Sequence, residues 1–201
     1  MAVLDLEDQL SFYMAYHHQE VNVWIHTVCV PIILVTSFAL ATNSGPLFSL
    51  FGSYLNSYLN SYLNVGVLVA LGYAIFYILL DPVVGGILSP LVVGSSIIAT
   101  DLINEYGTAG NYIAGGLWVI SWILQFIGHA VYEKRAPALL DNLLQSLVLA
   151  PFFVVFELVF RFGFRQDLEQ RLKVRVDKEL QKVGAEKEAK VAMKAAKVVK
   201  K

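Results

Sequence analysis

The first 133 residues contain no lysine or arginine, although the 201-residue chain carries fifteen in all. A stretch without cations offers phosphate nothing to bind, so no nucleic-acid partner is expected. There is one cysteine, Cys29. That excludes an internal disulfide and any cysteine-based zinc site, and leaves Cys29 to act as a small buried apolar residue. Only four histidines occur, too few for a membrane hydroxylase or desaturase of the di-iron kind. No Asn-x-Ser/Thr sequon is present, and neither a dilysine nor a KDEL-type ending closes the chain. Residues 1–16 lack the basic region of a cleavable signal, so they are expected to belong to the mature protein. Charge is scarce as well: 15% of residues are charged, against roughly a quarter in soluble domains.

What fills the chain instead is apolar. Hydrophobic residues make up 57% of it and the mean hydropathy is +0.60, so a bilayer is the expected solvent. The spacing of Leu6, Leu10, Tyr13 and Met14 predicts a short amphipathic helix, lying on the membrane or on the protein. Four apolar runs follow: Val23–Leu40, Val65–Leu80, Val83–Thr100 and Tyr112–Tyr132. Each approaches the roughly 20 residues that cross a ~30 Å hydrocarbon core. Between the first two lies a threefold Ser-Tyr-Leu-Asn repeat over Ser53–Asn64, read as a tyrosine-rich interfacial helix or an expansion in a tolerant loop. Between the last two, Asp101–Asn111 reads as a polar loop.

A fifth apolar stretch, Leu143–Phe160, contains Pro151 and Glu157. It is flanked by Lys134-Arg135 and by the basic tail from Arg161, whereas loops 42–64 and 101–111 carry no cation. Positive charge marks the cytosolic side. The stretch between two basic regions should therefore return to the side it left, as a re-entrant or interfacial helix. The expected fold is all-α: a polytopic membrane bundle of about four spans with both termini cytosolic. Residues 1–165 form the membrane domain and 166–201 a charged, helical or disordered tail. Glu157 and Arg161, one turn apart, are expected to form an ion pair.

An even number of crossings puts the start of the first span and the end of the fourth on one face. His17, His18 and His26 thereby meet His129 and Glu133. In an unbroken helix His18, Asn22 and His26 share a side and His17 points away; His129 and Glu133, four apart, also share a side. Imidazoles with a carboxylate suit Fe(II), Zn(II) or Mn(II), and two histidines with one carboxylate and open positions is the pattern of non-haem iron oxygenases.

The residues Tyr16-His17-His18, Asn22, Ile25-His26 and Val30-Pro31, then Gln125-Phe126-Ile127-Gly128-His129, Glu133-Lys134-Arg135 and Pro137-Ala138-Leu139, resemble the signature of the DUF962 family in its fungal, Mpo1-like branch. The likeness continues through Asp141–Phe153 and Phe156-Glu157, and so covers roughly residues 4–165. It implies an Fe(II)-dependent dioxygenase of the endoplasmic reticulum membrane. Such an enzyme uses O2 to shorten 2-hydroxy fatty acids by one carbon, with release of CO2, in phytosphingosine breakdown. Carried over by position, the family's histidines fall on His17, His26 and His129, with His18 present in the fungal form. Asn22 and Glu133 match further family positions, with Glu133 either a fourth ligand or the partner that orients an imidazole. The family favours His17 and the unbroken helix favours His18; a turn at Gln19–Glu20 would reconcile them. Cys29 and the repeat depart from the family pattern without touching a candidate ligand. The alternative is a non-enzymatic lipid transporter or membrane-shaping protein, which would explain the spans and the acids Asp81, Asp101 and Glu157 but not the clustered histidines.

Overall fold

The computed structural model describes residues 4–17, 19–47, 60–134, 143–178 and 181, and every regular element among them is helical. The helices are α1 (Leu6–Met14), α2 (Glu20–Ala41), α3 (Val65–Leu80), α4 (Pro82–Ile127), α5 (Leu143–Arg161) and α6 (Gln166–Lys178). A 3-10 turn, Thr42–Ser44, prolongs α2, and a π-helical turn, Gly128–Glu133, prolongs α4. His18, residues 53–59 of the repeat, residues 135–142 and the end of the tail lie outside the described residues.

The helix starts follow local chemistry. Asp5, Asn64 and Asp81 each sit in extended backbone and accept a first-turn amide with the side chain: Asp8 N, Val67 N, and both Val83 N and Val84 N. Such caps satisfy amides that have no intrahelical acceptor. Asp81-Pro82 therefore ends α3 and opens α4 in one step, with proline in the first turn, where its missing N–H costs nothing.

The polar loop expected over 101–111 is not there: these residues are helical up to Gly107 and beyond it. Gly107 alone is non-helical, with φ 51° and ψ −120°, a conformation that needs glycine. At that residue α4 doubles back. A Cβ on Gly110 would lie 3.5 Å from the Leu102 carbonyl oxygen, an atom that a straight helix would hold about 12 Å away. The polar residues stay helical because they pair at this end of the bundle. Tyr62 donates to Asp101 at 2.5 Å, Asn43 to Asn111 at 2.6 Å, and Thr100 joins Asn64 and Thr42 at 3.1 and 3.3 Å. The first arm of α4 runs beside α3, where Ser89 donates to the Ala74 carbonyl at 3.0 Å, and the second beside α2, where Trp118 donates to Ser37 at 3.1 Å.

Two helical stretches, Glu20–Ser44 and Pro82–Glu133, are long and apolar enough to cross a membrane. α3, at 16 residues, ends where its apolar run ends. Outward-facing Ile75, Ile87, Leu91, Ile98 and Ile113 are each at least 60% exposed, an apolar surface that water does not tolerate but lipid covers.

α5 is the buried wall of the bundle, with Phe152 and Phe156 fully enclosed. Pro151 has no N–H for the Leu147 carbonyl, and Tyr73 supplies the missing donor at 3.2 Å; Tyr77 donates to the next carbonyl, Val148, at 2.7 Å. At its end Arg161 pairs with Glu157 at 3.2 Å and Glu20 at 3.5 Å and lies over the Trp24 ring. The chain then bends by 117° into α6. Residues 166–178 are helical but not merely solvated: Leu168 and Leu172 join the core, and Arg171 and Arg175 pair with Glu7 and Asp8 of α1 at 2.9–3.2 Å. Packing thus continues past the expected boundary at 165.

Candidate metal centre

His17, His26 and His129 come together where the start of α2 meets the end of α4. Their candidate ligand atoms lie within 4.8 Å of one another, and all three side chains are buried. The ring centroids form a nearly equilateral triangle of 4.4, 4.8 and 4.9 Å, with rings inclined at 70–80°. Rings inclined so steeply do not stack face to face, and their candidate ligand atoms share one small space. The unbroken-helix expectation fails because α1 ends at Met14, Tyr16 and His17 continue as a turn, and Gln19 is extended before α2 begins. That break swings His17 inward. His18 lies outside the described residues.

Hydrogen bonds fix two of the tautomers. His17 Nδ1 donates to the Tyr13 carbonyl and His26 Nδ1 to the Asn22 carbonyl, each at 2.9 Å. A carbonyl only accepts, so both protons sit on Nδ1 and both lone pairs on Nε2, the form in which imidazole binds metal. The Tyr13 ring stacks on His17 at 4.1 Å. Burial pushes the Tyr13 phenol above its usual range, so it serves as a neutral wall.

Glu133 and Asn22 tie the start of α2 to the turn that carries His129. Glu133 Oε1 accepts from the Gln19 amide at 2.9 Å and from Asn22 Nδ2 at 3.2 Å. This oxygen caps the N-terminus of α2, where a carboxylate also meets the favourable end of the helix dipole. Asn22 orients His26 through its carbonyl and holds Glu133 through its side chain. Gly128 makes room for this: a Cβ there would lie 2.3 Å from Asn22 Oδ1. The π-helical turn that carries Gly128, His129 and Glu133 is a local distortion of a type found often at functional sites.

From the histidines a cavity of about 330 Å³ extends along α2 past Val30 and Leu34 to Phe38 and Ala41. His26 to Ala41 covers about 22 Å of helix at 1.5 Å per residue. The walls are mainly aliphatic and aromatic, and among the described residues none that lines them is acidic, lysine or arginine. It also meets Trp122, Gln125 and Ser146, to which the sequence reading gave no role at the site. The signal was there: Trp122, Gln125 and His129 recur at helical spacing on one side of α4.

Neutral imidazoles whose lone pairs face one space repel unless a proton or cation lies between them. The donor set therefore fits a divalent transition metal with positions left open.

Comparison with known proteins agrees with this geometry. Residues 3–162 match the family described as "2-hydroxy-palmitic acid dioxygenase Mpo1-like". The Saccharomyces cerevisiae protein named 2-hydroxy-palmitic acid dioxygenase MPO1 is 37% identical over 153 residues, 76% of this chain and 79% of the yeast protein. No solved structure matches.

Proposed function

The chain belongs to the Mpo1-like family, and we propose that it is an Fe(II)-dependent dioxygenase that shortens 2-hydroxy fatty acids by one carbon. The observation that carries this reading is the junction of three convergent imidazoles with a long apolar cavity. His17, His26 and His129 would hold the metal. Iron bound there would supply open positions and redox chemistry toward O2. In overall balance a 2-hydroxy acid and one O2 give the acid one carbon shorter, CO2 and water. All four electrons come from the first two carbons, so no further reductant is needed.

The residues of the chain supply the rest. The Tyr13 and Asn22 carbonyls hold the imidazoles in their ligand tautomers. Glu133 and Asn22 fix the start of α2 against the turn that carries His129. The cavity gives the acyl tail a dry place beside the helices, and the about 22 Å of α2 along which it runs exceeds one leaflet, about 15 Å or half the hydrocarbon core. The setting we propose is the endoplasmic reticulum membrane, with α2, α3 and the two arms of α4 as four crossings and the histidine end cytosolic.

A lipid transporter would need its acids free for coupling. Instead Asp81 pairs with Arg165 at 2.6 Å, Asp101 accepts from Tyr62 and Glu157 pairs with Arg161. The test is turnover of 2-hydroxypalmitate by purified protein under O2. We expect a fifteen-carbon acid and CO2, lost on chelation and restored by Fe(II) but not Mg(II). Activity indifferent to chelators, or a product that keeps all its carbons, would overturn the proposal.

A further inference from the structure

Three polar groups that line the cavity have no role in the arrangement described so far. Trp122 Nε1, Gln125 Nε2 and Ser146 Oγ are each buried without a hydrogen-bond partner. Gln125 is only 7% exposed and Ser146 8%. Unpaired buried donors are disfavoured because they lose water and gain nothing in return. The neighbouring indole shows the contrast: Trp118, four residues earlier on the same helix, has its N–H satisfied by Ser37.

Their chemistry is of one kind. An indole N–H only donates, an amide NH2 donates, and a serine hydroxyl can do so. Trp122 and Gln125 stand three apart on the second arm of α4, and His129 follows four later, so all three share one side of that helix. Ser146, on α5, lines the same cavity. Among the described residues no lysine or arginine lines the cavity, and the groups there that can meet an anion are neutral donors. A carboxylate, with about four lone-pair sites, can accept from all three.

We infer that Trp122, Gln125 and Ser146 form a carboxylate-binding subsite that seats the head of a long-chain acid beside the three histidines, with its tail in the cavity. This rests on the substrate class proposed above. The subsite selects acids over alcohols of the same length, since an alcohol leaves donors unmet. It also sets which end of an amphiphile reaches the histidines.

The test measures binding of 2-hydroxypalmitate and of 1,2-hexadecanediol, which has the same chain and hydroxyl but no carboxylate. Purified full-length protein is titrated with each by calorimetry, alongside its iron content. Wild type should bind the acid at least about tenfold more tightly than the diol, on the scale of a site built for a polar group. Ser146→Ala, Gln125→Leu and Trp122→Phe should each weaken acid binding by about fivefold or more, with diol binding and iron content unchanged. Should Gln125→Leu fail to fold, Gln125→Glu keeps the shape and should repel the acid. Equal losses for acid and diol, or unchanged acid affinity, would overturn the subsite. Acid binding that is carboxylate-selective and sensitive to these variants, without turnover, would instead overturn the dioxygenase reading and leave the subsite standing.

Discussion

At the scale of single residues, the site depends as much on what holds the imidazoles as on the imidazoles themselves. Asn22 and Gly128 never face the shared space with a ligand atom, yet one orients His26 and the other gives Asn22 its place. Gly128→Ala should push Asn22 away and loosen Glu133 from the start of α2. Iron affinity should then fall about 10- to 100-fold, the usual cost of disturbing a ligand's support. Asn22→Ala keeps the backbone carbonyl that holds His26 but removes the amide that holds Glu133, and should lower iron affinity through that loss; iron titration of the purified variants checks both, and unchanged affinity would show that the Asn22–Glu133 contact does not support the site. The histidines were legible from their clustering and spacing. Spacing left His17 and His18 open while the family positions favoured His17, because whether the chain continues as a helix into α2 depends on the docking of α1 and on Glu133, more than a hundred residues away. Tyr13 was read as part of an amphipathic face, and nothing local shows that this face supplies a wall to the site.

Among elements, α4 decides the architecture. Its reversal at Gly107 sets the second arm antiparallel to α2 and so returns His129 to the level of His26. Gly107→Val should strain that turn by about 1–3 kcal/mol. For a chain of this size the melting temperature should drop by roughly 2–10 °C in thermal unfolding; an unchanged value would mean the reversal has another cause. The span boundaries were readable because Asp81-Pro82 is both a stop and a start. The loop 101–111 was misread because polarity was taken for irregularity, whereas Asp101 and Asn111 find partners while remaining helical. α2 carries the other element-level expectation. Ala41 lines the end of the cavity away from the histidines, so Ala41→Phe should shorten the preferred acyl chain. Turnover ratios of sixteen- to ten-carbon 2-hydroxy acids should fall about tenfold or more on losing space for a few methylenes, and an unchanged ratio would place the tail elsewhere.

For the whole molecule, the four proposed crossings put the charged layer of α1 and α6 on one side with the histidines, and the Thr42–Asn64–Thr100 knot on the other. Cys29 is buried and is the only cysteine, which makes labelling direct. In a Cys29→Ala background, Ser44→Cys and Thr108→Cys should react with an impermeant reagent from one side of sealed vesicles, and Phe162→Cys from the other. Reaction of all three from one side would break the topology. The sequence announced the membrane through hydropathy, and the side it assigns from charge is what the labelling tests. It did not announce that α6 packs against α1, because a helix with cations along it reads as solvated until its acidic partners are found on a distant segment.

The most direct test is the iron-to-protein ratio of anaerobically loaded, folded protein, for wild type and for His17→Ala, His26→Ala and His129→Ala. One iron per chain is predicted for wild type and less than about a tenth of that for each variant, with turnover lost in parallel, since removing one of three ligands leaves too few to hold a divalent ion. Full iron in any one of the three folded variants would contradict a centre shared by these histidines.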